Sequence, residues 1–286
     1  MKSIAIWGNT FQGEHLEGLA NMLESLRSEG FRVWIHSIFA VYLRQRGVEI
    51  EEFEIVKALP KEAECVFSFG GDGTFLQAAQ WVGSREVPIL GINTGHLGYL
   101  TSYSLDEATE ILEAVKADKF TREYRSVIEA RCEGMPEGFW PYALNEVAVL
   151  KAATASMVTV HAEVDGKYLA DYMSDGLVVS TPTGSTAYNL SIGGPILQPT
   201  LECLVLAPIA AHSLTMRPVV IGASSRIRLV ASSRSEESRV SIDGRSFLMP
   251  CGREIQLCKA PFRVVVLRRP DSNFANLLRK KLGWGL

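Results

Sequence analysis

Cys65-Val66-Phe67-Ser68-Phe69-Gly70-Gly71-Asp72-Gly73-Thr74-Phe75-Leu76 is the stretch on which the fold turns. Its first five residues are uncharged and mostly apolar, as in a strand buried on both faces. Three glycines within four positions then break the run, and a helical pattern follows. Glycine lets a backbone approach a ligand closely, and the first turn of a helix aims free N–H groups at an anion. Phosphate is the natural guest of such a strand–loop–helix unit. The loop is not the G-x-x-x-x-G-K-[ST] type, because the nearest lysines are Lys61 and Lys116. It is not the dinucleotide fingerprint either, since Leu76 stands where the third glycine belongs. Without a local lysine, backbone dipoles and a metal ion must neutralise the phosphate charge. Asp-Gly is often only a turn. Within a phosphate loop, however, Asp72 reads as an acid kept to take a proton from an attacking hydroxyl.

The surrounding sequence alternates strands and helices. Residues 4–7, 31–35 and 87–92 read as strands. Between Glu14 and Glu29, Leu16, Leu19, Ala20, Leu23 and Leu26 share a helical face, and Gly30 supplies the stop. Ser104-x-x-Glu107 is a capping box opening a helix with Ala108, Ile111, Leu112 and Val115. This predicts a Rossmann-like α/β domain with a mainly parallel sheet.

From about residue 126 the period changes to two: Val158, Val160, Ala162 and Val164 alternate with Thr159, His161 and Glu163. Asp165-Gly166 and Asp243-Gly244 read as hairpin turns. Further strands are expected at 143–150, 177–181, 227–231, 255–259 and 262–267, giving an all-β antiparallel sandwich. In the tail, Phe274, Leu277, Leu278 and Leu282 share a helical face that Asp271 or Ser272 can cap. The expected division is an α/β domain at 1–122, a β-sandwich at 123–268 and a helix at 269–286 returning to the first domain.

Composition excludes several classes. The 286 residues carry 29 Lys+Arg against 32 Asp+Glu, a net charge of −3, which argues against nucleic acid as a partner. No apolar run reaches the roughly 20 residues of a membrane helix, and residues 1–9 lack a secretory pattern. The expectation is a cytoplasmic protein with no membrane partner. Cys65, Cys132, Cys203, Cys251 and Cys258 are odd in number and form no C-x-x-C pair. They read as reduced, mostly buried thiols. No His/Cys cluster has ligand spacing, so no protein-held metal site is expected.

Three more segments carry possible chemistry. Asn93-Thr94-Gly95-His96-Leu97-Gly98-Tyr99-Leu100 is a second glycine loop at a strand end, in which His96 alone reads as structural. Asn145-Glu146 interrupts an apolar strand with groups suited to a base and a ribose. Residues 174–195 concentrate hydroxyls and glycines, and Tyr188 there is either a ligand-facing ring or a core aromatic. Ser185 is not in a nucleophile elbow.

These segments, GGDGT at 70–74, NTGHLGYL at 93–100, NE at 145–146 and DGLVVSTPTGSTAY at 175–188, resemble the NAD kinase family in content and order. Ser241–Arg245 and the terminal Lys281-Leu282-Gly283-Trp284 extend the resemblance to nearly the whole chain. It implies phosphoryl transfer from ATP, with Mg²⁺ or Mn²⁺ carried mainly by the nucleotide, to the adenosine ribose 2′-hydroxyl of NAD. It also implies a two-domain fold with the active site between the domains. Carried across, Asp72 would be the proton acceptor, and Gly70, Gly71, Gly73 and Thr74 the ATP-phosphate loop. Asp72, Gly73, Asn145 and Glu146 would contact NAD. Thr186, Ala187, Tyr188, Asn189, Leu190 and Ser191 would wrap its adenosine, and Asp175 its nicotinamide half. A homodimer or homotetramer with Asp175 reaching a neighbour's site is expected. Two departures stand out: Met173 where many members carry arginine, and Arg245 where bacterial relatives often carry glutamine. The cationic contact to the dinucleotide is then lost, or restored by Arg245 from another strand. The competing functions are a lipid kinase of the diacylglycerol type, which shares the glycine loop, and a non-catalytic NADP sensor.

Overall fold

A computed structural model describes the chain except residues 11, 12, 96, 97, 153–155, 284 and 286 and the side chain of Glu14. It divides into two units, Met1–Tyr124 with Val264–Leu286, and Arg125–Arg263.

The first unit begins with strands β1 (Ser3–Gly8), β2 (Arg32–His36), β3 (Glu54–Val56), β4 (Cys65–Phe69), β5 (Ile89–Asn93), β6 (Tyr103–Ser104) and β7 (Thr121–Arg125). Helices α1 (Leu16–Ser28), α2 (Ser37–Gln45), α3 (Asp72–Val82) and α4 (Ala108–Lys116) lie between them. α1 buries Leu19, Met22, Leu23 and Leu26, a stripe at helical spacing, and Gly30 beyond its end has φ +76°. The capping box forms: the Ser104 N–H donates to Glu107 Oε2 at 2.7 Å. α2 has no counterpart in the sequence reading.

The second unit holds β8 (Ile128–Cys132), β9 (Tyr142–Ala143), β10 (Glu146–Lys151), β11 (Val158–Val164), β12 (Lys167–Ser174), β13 (Gly176–Ser180), the short helix α5 (Tyr188–Ser191), β14 (Cys203–Ile209), β15 (Val219–Gly222), β16 (Ile227–Ser233), β17 (Glu237–Ile242), β18 (Arg245–Pro250) and β19 (Glu254–Lys259). They form two antiparallel sheets, β15-β14-β13-β10-β17-β18 and β12-β11-β16-β19-β8-β9. One apolar cluster draws on both, with Val147, Val179 and Val240 from the first and Val160, Leu229 and Leu257 from the second. Both predicted hairpin turns form, with φ +53° and +73° at Asp165-Gly166 and +46° and +78° at Asp243-Gly244. The expected strand at 143–150 is split, because the backbone turns aside at Asn145 between β9 and β10.

The last strand corrects the sequence reading. β20 (Val264–Arg268) joins the first unit's sheet instead of the sandwich, completing the order β3-β2-β1-β4-β5-β20-β7 with β6 beside β5. All five of its residues are buried, as suits a parallel strand covered on both faces. Helix α6 (Phe274–Leu282) follows and belongs to this unit. Its cap is Asn273, whose Oδ1 accepts the Asn276 N–H at 2.8 Å, and not Asp271 or Ser272. None of its described residues is fully buried; Lys281 lies 5.5 Å from the Tyr99 ring centre.

Successive strands build outward from β1 through β2 and β3 on one side, and from β4 through β5 on the other. The carboxyl ends of β1 and β4 are therefore the topological switch point, where open α/β sheets bind ligands.

Candidate active site

In the first unit, Gly71 caps α3 and Asp72 is its first residue. The four expected phosphate-loop residues divide into two roles. The Gly70 N–H is committed to the Ile92 carbonyl at 2.9 Å, and Thr74 is buried in the turn, its N–H on the Gly71 carbonyl at 3.0 Å. Gly71 and Gly73 instead border open space, since an added Cβ would meet no described atom within 4 Å. These two positions leave room for a phosphate at the positive end of α3.

Asp72 does not project freely. Its Oδ2 accepts the Tyr99 N–H at 2.8 Å and its Oδ1 the Leu100 N–H at 2.9 Å. Gly98 is required for this: a Cβ there would lie 1.9 Å from Asp72 Oδ1. Arg268 braces the same loop from β20. It is buried, pairs with Glu123 at 3.1 Å and donates to the carbonyls of Tyr99 at 2.6 Å and Thr101 at 3.3 Å. Sequence reasoning missed Arg268, and the Arg268-Arg269 pair ending an apolar strand was its only signal. Asn93 closes an Asx turn on Gly95, with both bonds at 2.9 Å. His96 lies outside the described residues.

In the second unit, Asn145 and Glu146 are held from below by Asp243. The Asp243 Oδ2 accepts the Leu144 N–H at 2.7 Å, and Oδ1 accepts those of Asn145 at 2.8 Å and Glu146 at 3.2 Å. Burial pushes the Asp243 carboxyl up from its ordinary value, and these N–H groups pull against that. Burial also pushes Glu146 up to about 7; the Asp243 charge adds to this and the Tyr188 backbone N–H opposes it. Glu146 Oε2 is buried and has no partner among the described residues. A buried carboxylate oxygen without a donor is costly, and a ribose hydroxyl would satisfy it.

The 183–191 segment closes over this strand. A Cβ on Gly184 would lie 2.1 Å from the Asn145 carbonyl oxygen, so only glycine permits the approach. Thr186 Oγ1 donates to the Thr183 carbonyl at 3.2 Å, and the Ala187 N–H to that of Gly184 at 2.9 Å. Tyr188 is 38% exposed, so its ring is not a core aromatic. Leu190 is half-buried and Ser191 exposed. The Asn189 side chain is held on one side, while its buried Oδ1 has no partner among the described residues. It is fully buried and its Nδ2 donates to the carbonyls of Ser185 at 3.3 Å and Pro195 at 3.0 Å, so it shapes the loop from inside.

Asp175 forms an ion pair with Lys151 at 2.6 Å. Lys151 and the exposed Met173 line one cavity of about 560 Å³. Arg245 is engaged within its own unit. Its guanidinium donates to the carbonyls of Trp140 and Tyr142, each at 3.0 Å, and lies over the Phe139 ring. Among the described residues, no three His, Cys, Asp or Glu side chains gather to hold a metal ion. None of the five cysteines is in a disulfide, and no described helix is long and apolar enough to cross a membrane.

Family models for the ATP-NAD kinase N-terminal and C-terminal domains match residues 22–120 and 144–268. The chain is 41% identical to an NAD kinase of Porphyromonas gingivalis over 287 residues, covering 100% of this chain and 99% of that one. This chain belongs to the NAD kinase family. An NAD kinase of Bacteroides fragilis is 38% identical over 282 residues, 98% of this chain and 97% of the other. Among solved structures, an NAD kinase from Archaeoglobus fulgidus in complex with ATP superposes with a TM-score of 0.74 at 30% identity, covering 99% of this chain and 100% of that one. Yeast NADH kinase complexed with NADH shares the fold, with a TM-score of 0.86 at 22% identity over 100% of this chain and 88% of the other. Kinase chemistry is thus the family's, and the glycine loop and the Asn145–Glu146 strand entry are the parts of this member to be given roles.

Proposed function

We propose that this chain phosphorylates the adenosine ribose 2′-hydroxyl of NAD with ATP, giving NADP and ADP. Identity of 41% with an NAD kinase over 100% of this chain carries the reading. The hydroxyl oxygen attacks the terminal phosphorus, the bridging P–O bond breaks with its electron pair leaving on ADP, and the hydroxyl proton passes to Asp72. A carboxylate oxygen has two lone pairs. Each Asp72 oxygen spends one on the Tyr99–Leu100 backbone and keeps one for the proton. Gly71 and Gly73 supply the phosphate berth at the α3 N-terminus. Asn145 and Glu146 take the adenosine portion, and Thr186, Ala187, Tyr188, Asn189, Leu190 and Ser191 its surroundings. A divalent cation arriving on ATP would offset the phosphate charge. Asp175, already neutralised by Lys151, faces the nicotinamide half, and the chain works as a homodimer or homotetramer. Incubating the protein with NAD, ATP and Mg²⁺ should form NADP; failure to form it would overturn the reading. Light scattering tests the assembly, and a fully active monomer would remove it.

A further inference from the structure

A cavity of about 850 Å³ opens beside the glycine loop in the first unit, lined among others by Trp7, His36, Ile38, Gln77, Gln80 and Trp81. Trp7 and His36 lie at the carboxyl ends of β1 and β2, and Trp81 on α3. The cavity therefore borders the switch point of the sheet. The Asn9 N–H donates to the Phe69 carbonyl at 3.0 Å, which brings its rim to the residue preceding Gly70. Along α3, Trp81 stands about 13 Å from Asp72 at the helical rise.

Three rings form one aromatic wall. Trp7 and His36 have centres 4.1 Å apart, Trp7 and Trp81 5.6 Å, and His36 and Trp81 5.1 Å. The indole N–H groups fix the rings, that of Trp7 to Gln77 Oε1 at 3.4 Å and that of Trp81 to the Lys57 carbonyl at 2.9 Å. Both tryptophans nevertheless stay half-exposed, and Ile38 is 60% exposed. Apolar surface left open in a concavity marks a ligand groove.

Among the described residues the wall carries one cation, Arg85, whose guanidinium is directed to backbone carbonyls at the rim, those of Leu59, Pro60 and Lys61. Burial pushes His36 below its ordinary value, which keeps the ring neutral near pH 7. What remains is ring faces, the Gln77 NH₂ and the Gln80 amide. Such a set suits a planar uncharged heteroaromatic, and a glutamine amide matches the N6/N7 edge of adenine.

We propose that this cavity holds the purine base of the phosphoryl donor, with its phosphates running along α3 toward Gly71 and Gly73. The proposal rests on the kinase reading of that loop and is separable from it by experiment. Calorimetry of ATP and of inorganic triphosphate binding to the full chain tests it directly. Trp81→Leu should weaken ATP about 10–100-fold, the range of base–aromatic stacking. Trp81→Phe should largely restore it, and inorganic triphosphate should bind both variants as it binds the parent. Unchanged ATP affinity in folded Trp81→Leu, equal weakening of inorganic triphosphate, or no ATP binding by the parent overturns the proposal. Should Trp81→Leu fail to fold, Gln80→Ala decides, because its side chain is exposed. It should lower the preference for ATP over GTP severalfold, and an unchanged ratio overturns the proposal. ATP binding with these dependences but no NADP formed would sink the kinase reading and leave the cavity standing. NADP formed with ATP binding indifferent to Trp81 and Gln80 would do the reverse.

Discussion

In the first unit the Asp72 carboxylate takes two backbone N–H groups, one on each oxygen; in the second the Asp243 carboxylate takes three, two of them on Oδ1. Both are followed by glycine, and both tie their own loop to a distant segment. Yet Asp72 opens a helix beside unfilled space, whereas Asp243 has three of its four lone pairs engaged beneath a strand entry. We assign the proposed proton transfer to Asp72, the one of the two that opens a helix beside open space. The other is scaffold, however similar its local sequence.

Several experiments would break or sharpen that contrast. The largest effect should come from chelation. Excess EDTA should abolish turnover, because the glycine loop at 70–74 contains no lysine of its own, while the thermal midpoint stays unchanged; undiminished rates would contradict this. Asp72→Asn should lower kcat about 10²–10⁴-fold with NAD binding largely retained. It also turns an amide NH₂ toward one loop N–H, so a small drop in Tm is expected. Full turnover in the folded variant would remove the general-base role. Asp243→Asn should act the other way. It leaves at least one buried N–H unpaired, at about 1–3 kcal/mol, lowering Tm and raising KM for NAD; if both hold steady, Asp243 is not the anchor.

Glu146 gives a pH signature. Its carboxyl is raised from 4.5 to about 7 in the fold. The folded state therefore binds its proton more tightly, and the associated stability is complete below the unfolded value and lost as pH rises through about 7. Glu146→Gln should flatten this decline, by roughly 1–3 kcal/mol at pH 8, while weakening NAD binding. Denaturant titrations of both proteins across that window check it, and parallel curves would argue against a buried titrating Glu146. The smallest effect is that of Tyr188→Ala. It should raise KM for NAD severalfold with little change in Tm, because the ring is largely outside the core; a large Tm loss at constant KM would reverse the reading.

The strand at 65–69 and its glycine loop were legible because an uncharged run, three glycines and a helical pattern all agree. The box at Ser104 and Glu107 was legible because capping is local. α2 was not. Its Ile38 and Val41 are 60% and 53% exposed, which blurs the apolar stripe, and its cap is His36, whose side chain accepts the Ile38 N–H. The strand near 264–268 was visible, but its sheet was misassigned, although an unbroken Val-Val-Val-Leu run is the mark of a parallel strand. At the candidate site, residue types were readable and long-range holds were not. Nothing near Asp243 announces bonds to residues about 100 positions earlier, and nothing near Arg245 announces the Trp140 and Tyr142 carbonyls.

Arg268, which braces the carbonyls of Tyr99 and Thr101, belongs to the fifth residue of the last strand. On a ribosome, the backbone that cradles Asp72 is synthesised long before the arginine that braces it. The sandwich, by contrast, is one contiguous stretch and can fold as soon as it emerges. The nascent chain should therefore acquire its units in reverse order, with β5 and β7 left unjoined until β20 arrives to sit between them. Released chains truncated after residue 263 should resist protease across the sandwich and remain cleavable near Tyr99. Protection at Tyr99 in the absence of β20 would show that the loop sets without its brace.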